Sequence, residues 1–241
     1  MTTKANTMPD KGLSRRVLGI FLAPQATFDA VMQSISKADF IIPMILILTV
    51  SVGARWVIMP LAYDAQINAV QQNTDLSDDE KDRKYEGLDS WFEKSNEPVS
   101  YVIGLAATVA WLVIQAGVLM FMAMIVLGGS GTFWSALVVV CYAQLINVLG
   151  GMIKIPLIMY TQSLKVETGF ALLLPRSIDS SMLYRFFHRL DLFTIWMIWV
   201  MGIGLASMFN VESRRINRLL FGSWAVLMFV LAWLVDGRMA A

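Results

Sequence analysis

The chain has 241 residues, of which 57% are apolar and 15% charged, with a net charge of +1; its mean hydropathy is +0.61. Soluble domains are roughly half apolar even with glycine counted, so this composition excludes an ordinary soluble domain and points to a membrane protein. The near-zero net charge excludes a whole-molecule field that would recruit nucleic acid, and the single cysteine, Cys141, excludes an internal disulfide or a cysteine-pair metal site.

Residues 1–12, "MTTKANTMPDKG", are polar and read as a flexible N-terminus. No apolar core followed by a small-residue cleavage site occurs in the first 39 residues, so no removable signal peptide is expected. Residues 13–38 read as a pair of interfacial amphipathic helices. Arg15 and Arg16 precede Val17, Leu18, Ile20, Phe21 and Leu22, too few apolar residues to span but enough to lie in an interface. Pro24 suits a helix start, and Phe28, Val31, Met32 and Ile35 follow at i, i+3, i+4, i+7. An amphipathic face does not name its partner, so packing against the protein's own bundle is the alternative.

A hydrocarbon core about 30 Å thick takes about 20 apolar residues at about 1.5 Å each. Residues 40–62, 101–127, 133–160, 192–209 and 218–235 meet or nearly meet that length. They predict an all-α integral membrane bundle of five transmembrane helices over residues 40–235. Trp134 and Trp233 fall near the ends of their runs, as interfacial tryptophans do. Cys141 lies inside the third run and reads as a packed, inert thiol.

The longest connection, the acidic loop 64–99, carries Asp64, Asp75, Asp78, Asp79, Glu80, Asp82, Glu86, Asp89, Glu93 and Glu97 against Lys81, Arg83, Lys84 and Lys94. Within it "SDDE", Ser77 to Glu80, has capping-box spacing and predicts a short solvent-facing helix. Asp75, Ser77, Asp79 and Glu86 also fall on calcium-loop positions, but Glu80 stands where that loop's turn needs glycine, so the cap is the better reading. The short basic turn "ESRRINR" between the last two runs favours a cytoplasmic N-terminus.

Ionisable side chains at membrane depth need a partner or water. Counting about 1.5 Å per residue, Arg55 lies about 22 Å along the first run and Lys154 about 31 Å along the third, while the antiparallel fourth run starts near Asp191. All three fall toward one membrane face, so Asp191 is expected to neutralise Arg55, Lys154 or both. Gln144, Asn147, Gly151 and Lys154 share an arc of about 80° on the third run, a polar wall. Arg55, Gln144, Asn147, Lys154 and Asp191 are therefore the candidate intramembrane binding cluster. Interhelical hydrogen bonding that fixes register is the structural alternative, and for Asp191 an acidic helix start is simpler still. Gly202 with Ala206 makes a small-xxx-small pair suited to close helix approach. Gly150, Gly151 and Pro156 are expected to kink or break the third run.

Catalytic motifs are missing from the sequence. His188, the single histidine, sits between Arg185 and Arg189 and reads as a headgroup-level residue rather than a base. One histidine and one cysteine supply no zinc set, and there is no nucleophile elbow or phosphate-cradling glycine loop. Neither an enzyme nor a cofactor is expected.

The early "LAPQATFDAV", the clustered spans behind a polar N-terminus, and "LDLFTIWMIWVMGIGLA" near the end together resemble the Yip-type family of polytopic membrane proteins, named for interaction with Ypt/Rab GTPases, and specifically its bacterial branch. The likeness covers roughly residues 16 to 235. It implies a five-helix bundle with a cytoplasmic N-terminus in a bacterial inner membrane, lipid contact, and partnership with membrane proteins such as an ABC-type exporter. The Asp-Leu-Tyr-Gly-Pro motif of the eukaryotic branch is missing here, which argues against GTPase binding. The leading expectation is a non-enzymatic accessory or scaffold protein. The alternative is a small transporter or lipid-handling protein that uses the polar wall of the third run.

Overall fold

A computed structural model of the protein describes residues 12–128, 131–162, 164 and 191–239. Among them eight helices follow one another: α1 (Leu13–Leu22), α2 (Pro24–Gln33), α3 (Ala38–Gln72), α4 (Asp78–Asn96), α5 (Pro98–Leu127), α6 (Phe133–Thr161), α7 (Leu192–Phe209) and α8 (Ser213–Met239). No strand occurs among the described residues. Four helices, α3, α5, α6 and α7, are long and apolar enough to cross a membrane, which makes this a multi-pass membrane protein. The run 218–235 lies on α8, which is not one of those four.

Local chemistry sets several boundaries. Pro24 opens α2, where its missing N–H costs no intrahelical bond. Gly128 closes α5 at φ 63°, with its N–H donating to the Met124 carbonyl at 2.9 Å. Asn210 closes α7 at φ 53°, and the Val211 N–H reaches back to the Ala206 carbonyl at 3.0 Å in a Schellman cap, so α8 follows after a tight turn. Helix α6 continues through Pro156, although that residue leaves the Met152 carbonyl without its usual donor.

The chain forms two compact units. The first comprises Met1–Met44, Gln115–Ile146 and Thr194–Ala241. Its centre is α6 from Ala136 to Ala143, where every side chain is buried, so this stretch is enclosed by protein all round. Ile20, Phe28 and Val31 of the N-terminal helices are fully buried. The Phe28 ring stands edge-on to Tyr142 at 6.2 Å, and Phe21 meets Trp196 at 6.1 Å. A Cβ on Gly204 would lie 2.8 Å from the Phe28 ring and 2.6 Å from Val139, so glycine there admits both side chains. The inner face of α1 and α2 thus packs on the protein itself, while Leu18 and Leu22 point outward.

The second unit comprises Ile45–Ile114 and Asn147–Phe193. Helix α3 has 35 residues, about 52 Å at about 1.5 Å each, far more than the hydrocarbon thickness. Beyond residue 62 it stays helical with Tyr63, Ile67 and Val70 half-buried at i, i+4, i+7. Helix α4 answers with Lys81, Tyr85, Leu88, Phe92 and Ser95 on its inner face. The Tyr63 and Phe92 rings lie 4.6 Å apart, and the Tyr63 hydroxyl donates to Asp89. The stretch 64–99 is therefore built as an antiparallel helical hairpin, because its apolar residues keep a helical period even where its outer face is acidic.

The start of α4 is a capping box. The Ser77 hydroxyl accepts from the Glu80 N–H at 3.4 Å, and the Glu80 carboxylate accepts from the Ser77 N–H at 2.9 Å. The backbone N–H of Ser77, then its hydroxyl, hold the Glu80 carboxyl below its ordinary range. That support is complete above the ordinary carboxylate pKa and is lost as pH falls through the lowered value of Glu80. Ser77→Ala is expected to speed amide exchange in the first turn of α4 roughly fivefold. Hydrogen exchange at neutral pH checks it, and acidification of the wild type should reproduce part of the effect.

Candidate functional site

Among the described residues, the most enclosed polar cluster lies in the first unit and joins α1, the start of α3 and the middle of α6. Arg16 Nη1 donates to Asp39 Oδ1 at 3.0 Å and to Oδ2 at 2.8 Å. The Tyr142 hydroxyl donates to Oδ1 at 2.8 Å, and the Ser36 N–H and hydroxyl donate to Oδ2 at 2.9 and 2.8 Å. Arg16 also reaches Ser34, donating to its carbonyl at 3.3 Å and its hydroxyl at 3.1 Å. The Asp39 side chain is fully buried. A carboxylate offers about four lone-pair sites, and Asp39 has them filled, so it has no capacity left for a substrate proton or a cation. Its chemistry is fastening.

Sequence reasoning passed over this cluster. The signal was present: Ser36 and Asp39, "SKAD", stand just ahead of an apolar run with the spacing of a cap, like the "SDDE" of α4. Arg16 sits on the apolar side of α1 with Ile20, one turn apart and equally turned inward. Tyr142 carried no signal, because an isolated tyrosine in an apolar run looks the same whether or not its hydroxyl has a partner.

Of the five sequence-derived residues, Lys154 and Asp191 are brought together in the second unit. Lys154 Nζ lies 3.0 Å from Asp191 Oδ1, with 29% and 21% of the two side chains exposed. The placement follows from Gly150. A Cβ there would lie 2.8 Å from the Phe193 ring, so the glycine lets the start of α7 press against α6. Lys154, one turn later, then lies 5.6 Å from the centre of that ring and within reach of Asp191. Gly151 similarly faces α3, where a Cβ would meet Val50 at 3.2 Å.

Arg55 is held elsewhere. Its Nη2 donates to the Ser95 carbonyl at 2.8 Å, its guanidinium lies 5.1 Å from the Tyr101 ring centre, and among the described residues it makes no ion pair. It borders a cavity of about 170 Å³ with Ser51, Tyr101 and Thr108, and its Nε is buried with no hydrogen-bond partner among the described residues. The C-terminal end of α4 thus captures this arginine. Gln144, in the first unit, donates to Gln115 of α5 at 3.0 Å, and Asn147 lies half-buried one turn further along α6. His188 lies outside the described residues.

Truncating either member of the Lys154–Asp191 pair tests its weight. For a pair this accessible, a double-mutant cycle with Lys154→Leu and Asp191→Asn is expected to give a coupling of about 1 kcal/mol in unfolding measurements. A coupling near zero would mean the two charges are solvated independently. Among the described residues no group of three histidine, cysteine or acidic side chains could hold a metal ion.

The Yip1 domain family matches residues 18–234. No curated protein and no solved structure matches the chain.

Proposed function

Given that the chain belongs to the Yip1 domain family, we propose that it is a non-enzymatic accessory or scaffold protein that binds other membrane proteins, in the bacterial branch of that family. In this reading it sits in the cytoplasmic membrane with its N-terminus inside. Helix α8 completes a set of five spans, and the outward residues of α1 and α2 touch lipid. The partner is a membrane protein such as an ABC-type exporter, and GTPase binding has no motif to support it.

One observation carries the reading. The hairpin of α3 and α4 extends a continuous helix well past bilayer length and braces it with a capped, acidic partner helix. A braced projection with an acidic outer face loses little conformational entropy on docking, which suits a basic protein surface. The test places a photo-crosslinking amino acid at Glu86, on the exposed face of α4, in native membranes. A discrete, reproducible heterologous adduct is expected, and it should disappear when the hairpin is loosened by Tyr63→Ala with Phe92→Ala. Recovery of only the uncrosslinked chain would end the scaffold reading.

A transport or lipid-handling role is the second reading, favoured by the partial exposure of the Lys154–Asp191 pair. An accessible intramembrane ion pair can exchange one partner for a polar solute. Solute flux or lipid scrambling in liposomes distinguishes it. Unchanged rates in both Lys154→Leu and Asp191→Asn would remove it.

A further inference from the structure

Within the first unit, α7 and α8 border a cleft of about 500 Å³ lined by Trp199, Ser213, Arg214, Asn217, Arg218 and Phe221. We infer that this cleft binds a phosphate ester, in the form carried by the headgroup of an anionic phospholipid. The inference is independent of the scaffold reading and of the orientation assigned there.

The charge comes first. Arg214 and Arg218 are one turn apart on α8, so both guanidinium groups reach the same cleft. Arg214 has a competing carboxylate, Glu212, but at 3.9 Å and with 80% and 70% of the two side chains exposed the pair is loose. Arg218 uses its Nε on the Arg214 carbonyl at 3.4 Å, and its two terminal nitrogens make no bond among the described residues. Planar guanidinium groups with donors to spare match phosphate oxygens.

Asn217 supplies the second point. Its Oδ1 is buried without a hydrogen-bond partner among the described residues, against Gly202, where a Cβ would lie 2.1 Å from it. With the oxygen wedged there, the NH₂ is the end left for the cleft, a further donor for a phosphate oxygen.

The order of residues along α8 points to an amphiphile. Ser213, Arg214, Asn217 and Arg218 occupy its first turns, and Phe221 follows about 12 Å in from Ser213 at about 1.5 Å per residue. Trp199 forms the facing aromatic wall from well inside α7. Polar at the mouth and aromatic at depth is the gradient of a phospholipid from headgroup to acyl chain, and basic pockets between membrane helices bind such headgroups. Inorganic phosphate would use the mouth alone.

The test compares wild type with Arg214→Gln/Arg218→Gln in nanodiscs of phosphatidylcholine with and without phosphatidylglycerol, counting retained lipid by native mass spectrometry. Wild type is expected to retain phosphatidylglycerol preferentially, and the double variant to retain roughly tenfold less. Arg214→Lys/Arg218→Lys, which keeps the charge, should remain within a few-fold of wild type. Lys81→Gln/Lys84→Gln on α4 removes equal charge elsewhere and should leave retention unchanged. Inorganic phosphate titrated into phosphatidylcholine nanodiscs separates the sources. If it raises the wild-type melting temperature, and not that of the glutamine variant, while phosphatidylglycerol is not retained, the same site serves a soluble phosphate. Equal phosphatidylglycerol retention in wild type and glutamine variant, with no phosphate effect, would overturn the inference.

Discussion

Replacing Asp39 with alanine is expected to lower the stability of the folded chain by about 3–5 kcal/mol, the cost of leaving a buried charge without its counter-ion. Arg16, its side chain 9% exposed, would lose both bonds to the Asp39 carboxylate and keep those to the Ser34 carbonyl and hydroxyl. The Tyr142 hydroxyl and the Ser36 hydroxyl would lose their acceptor at the same time. Denaturant unfolding in lipid bicelles measures the loss. Arg16→Met combined with Asp39→Leu should recover most of it, because a matched apolar pair removes both charges together. Tyr142→Phe, which deletes one neutral donor from a carboxylate that retains others, should cost only about 1 kcal/mol. If Asp39→Ala proved as mild as Tyr142→Phe, the ion pair would not be what fastens α1 to the start of α3.

Phe28→Ala is expected to cost about 3 kcal/mol or more, the usual range for deleting an enclosed aromatic ring. The ring is fully buried between Tyr142 and the backbone of Gly204, so its removal leaves a cavity that α6 and α7 can fill only by shifting. The outward Leu18 and Leu22 provide the contrast, since alanine at either should change unfolding by under about 1 kcal/mol. A helix pair resting on lipid alone would give the opposite pattern: little change in bundle stability from Phe28→Ala, and looser membrane association from the leucine variants. Unfolding in bicelles and carbonate extraction of a fragment ending before α3 therefore separate the two possibilities.

Several features were legible in the residues alone because each depends on one dimension. The apolar runs at 101–127, 133–160 and 192–209 are helices, since a bilayer leaves the backbone few other ways to satisfy its own polar groups. The Ser77–Glu80 cap was legible because both halves of the motif lie within one turn. Lys154 and Asp191 could be placed at one depth by counting residues, and they meet. The same counting put Arg55 beside them, but depth says nothing about direction around the helix axis, and the end of α4 intercepts that side chain.

Composition and periodicity established the membrane environment, the helices and the lack of catalytic motifs, since these follow from local hydrophobicity and spacing. The pairing of Arg16 with Asp39, 23 residues on, and of Asp39 with Tyr142, 103 residues beyond it, was decided only by packing. So was the burial of Ile20, Phe28 and Val31 of the N-terminal helices, with Phe28 set against Tyr142 of α6 and Gly204 of α7. An amphipathic face and a lone charge are each compatible with many partners. Which partner is taken depends on the helices that arrive opposite, and only there do burial and hydrogen bonding select one.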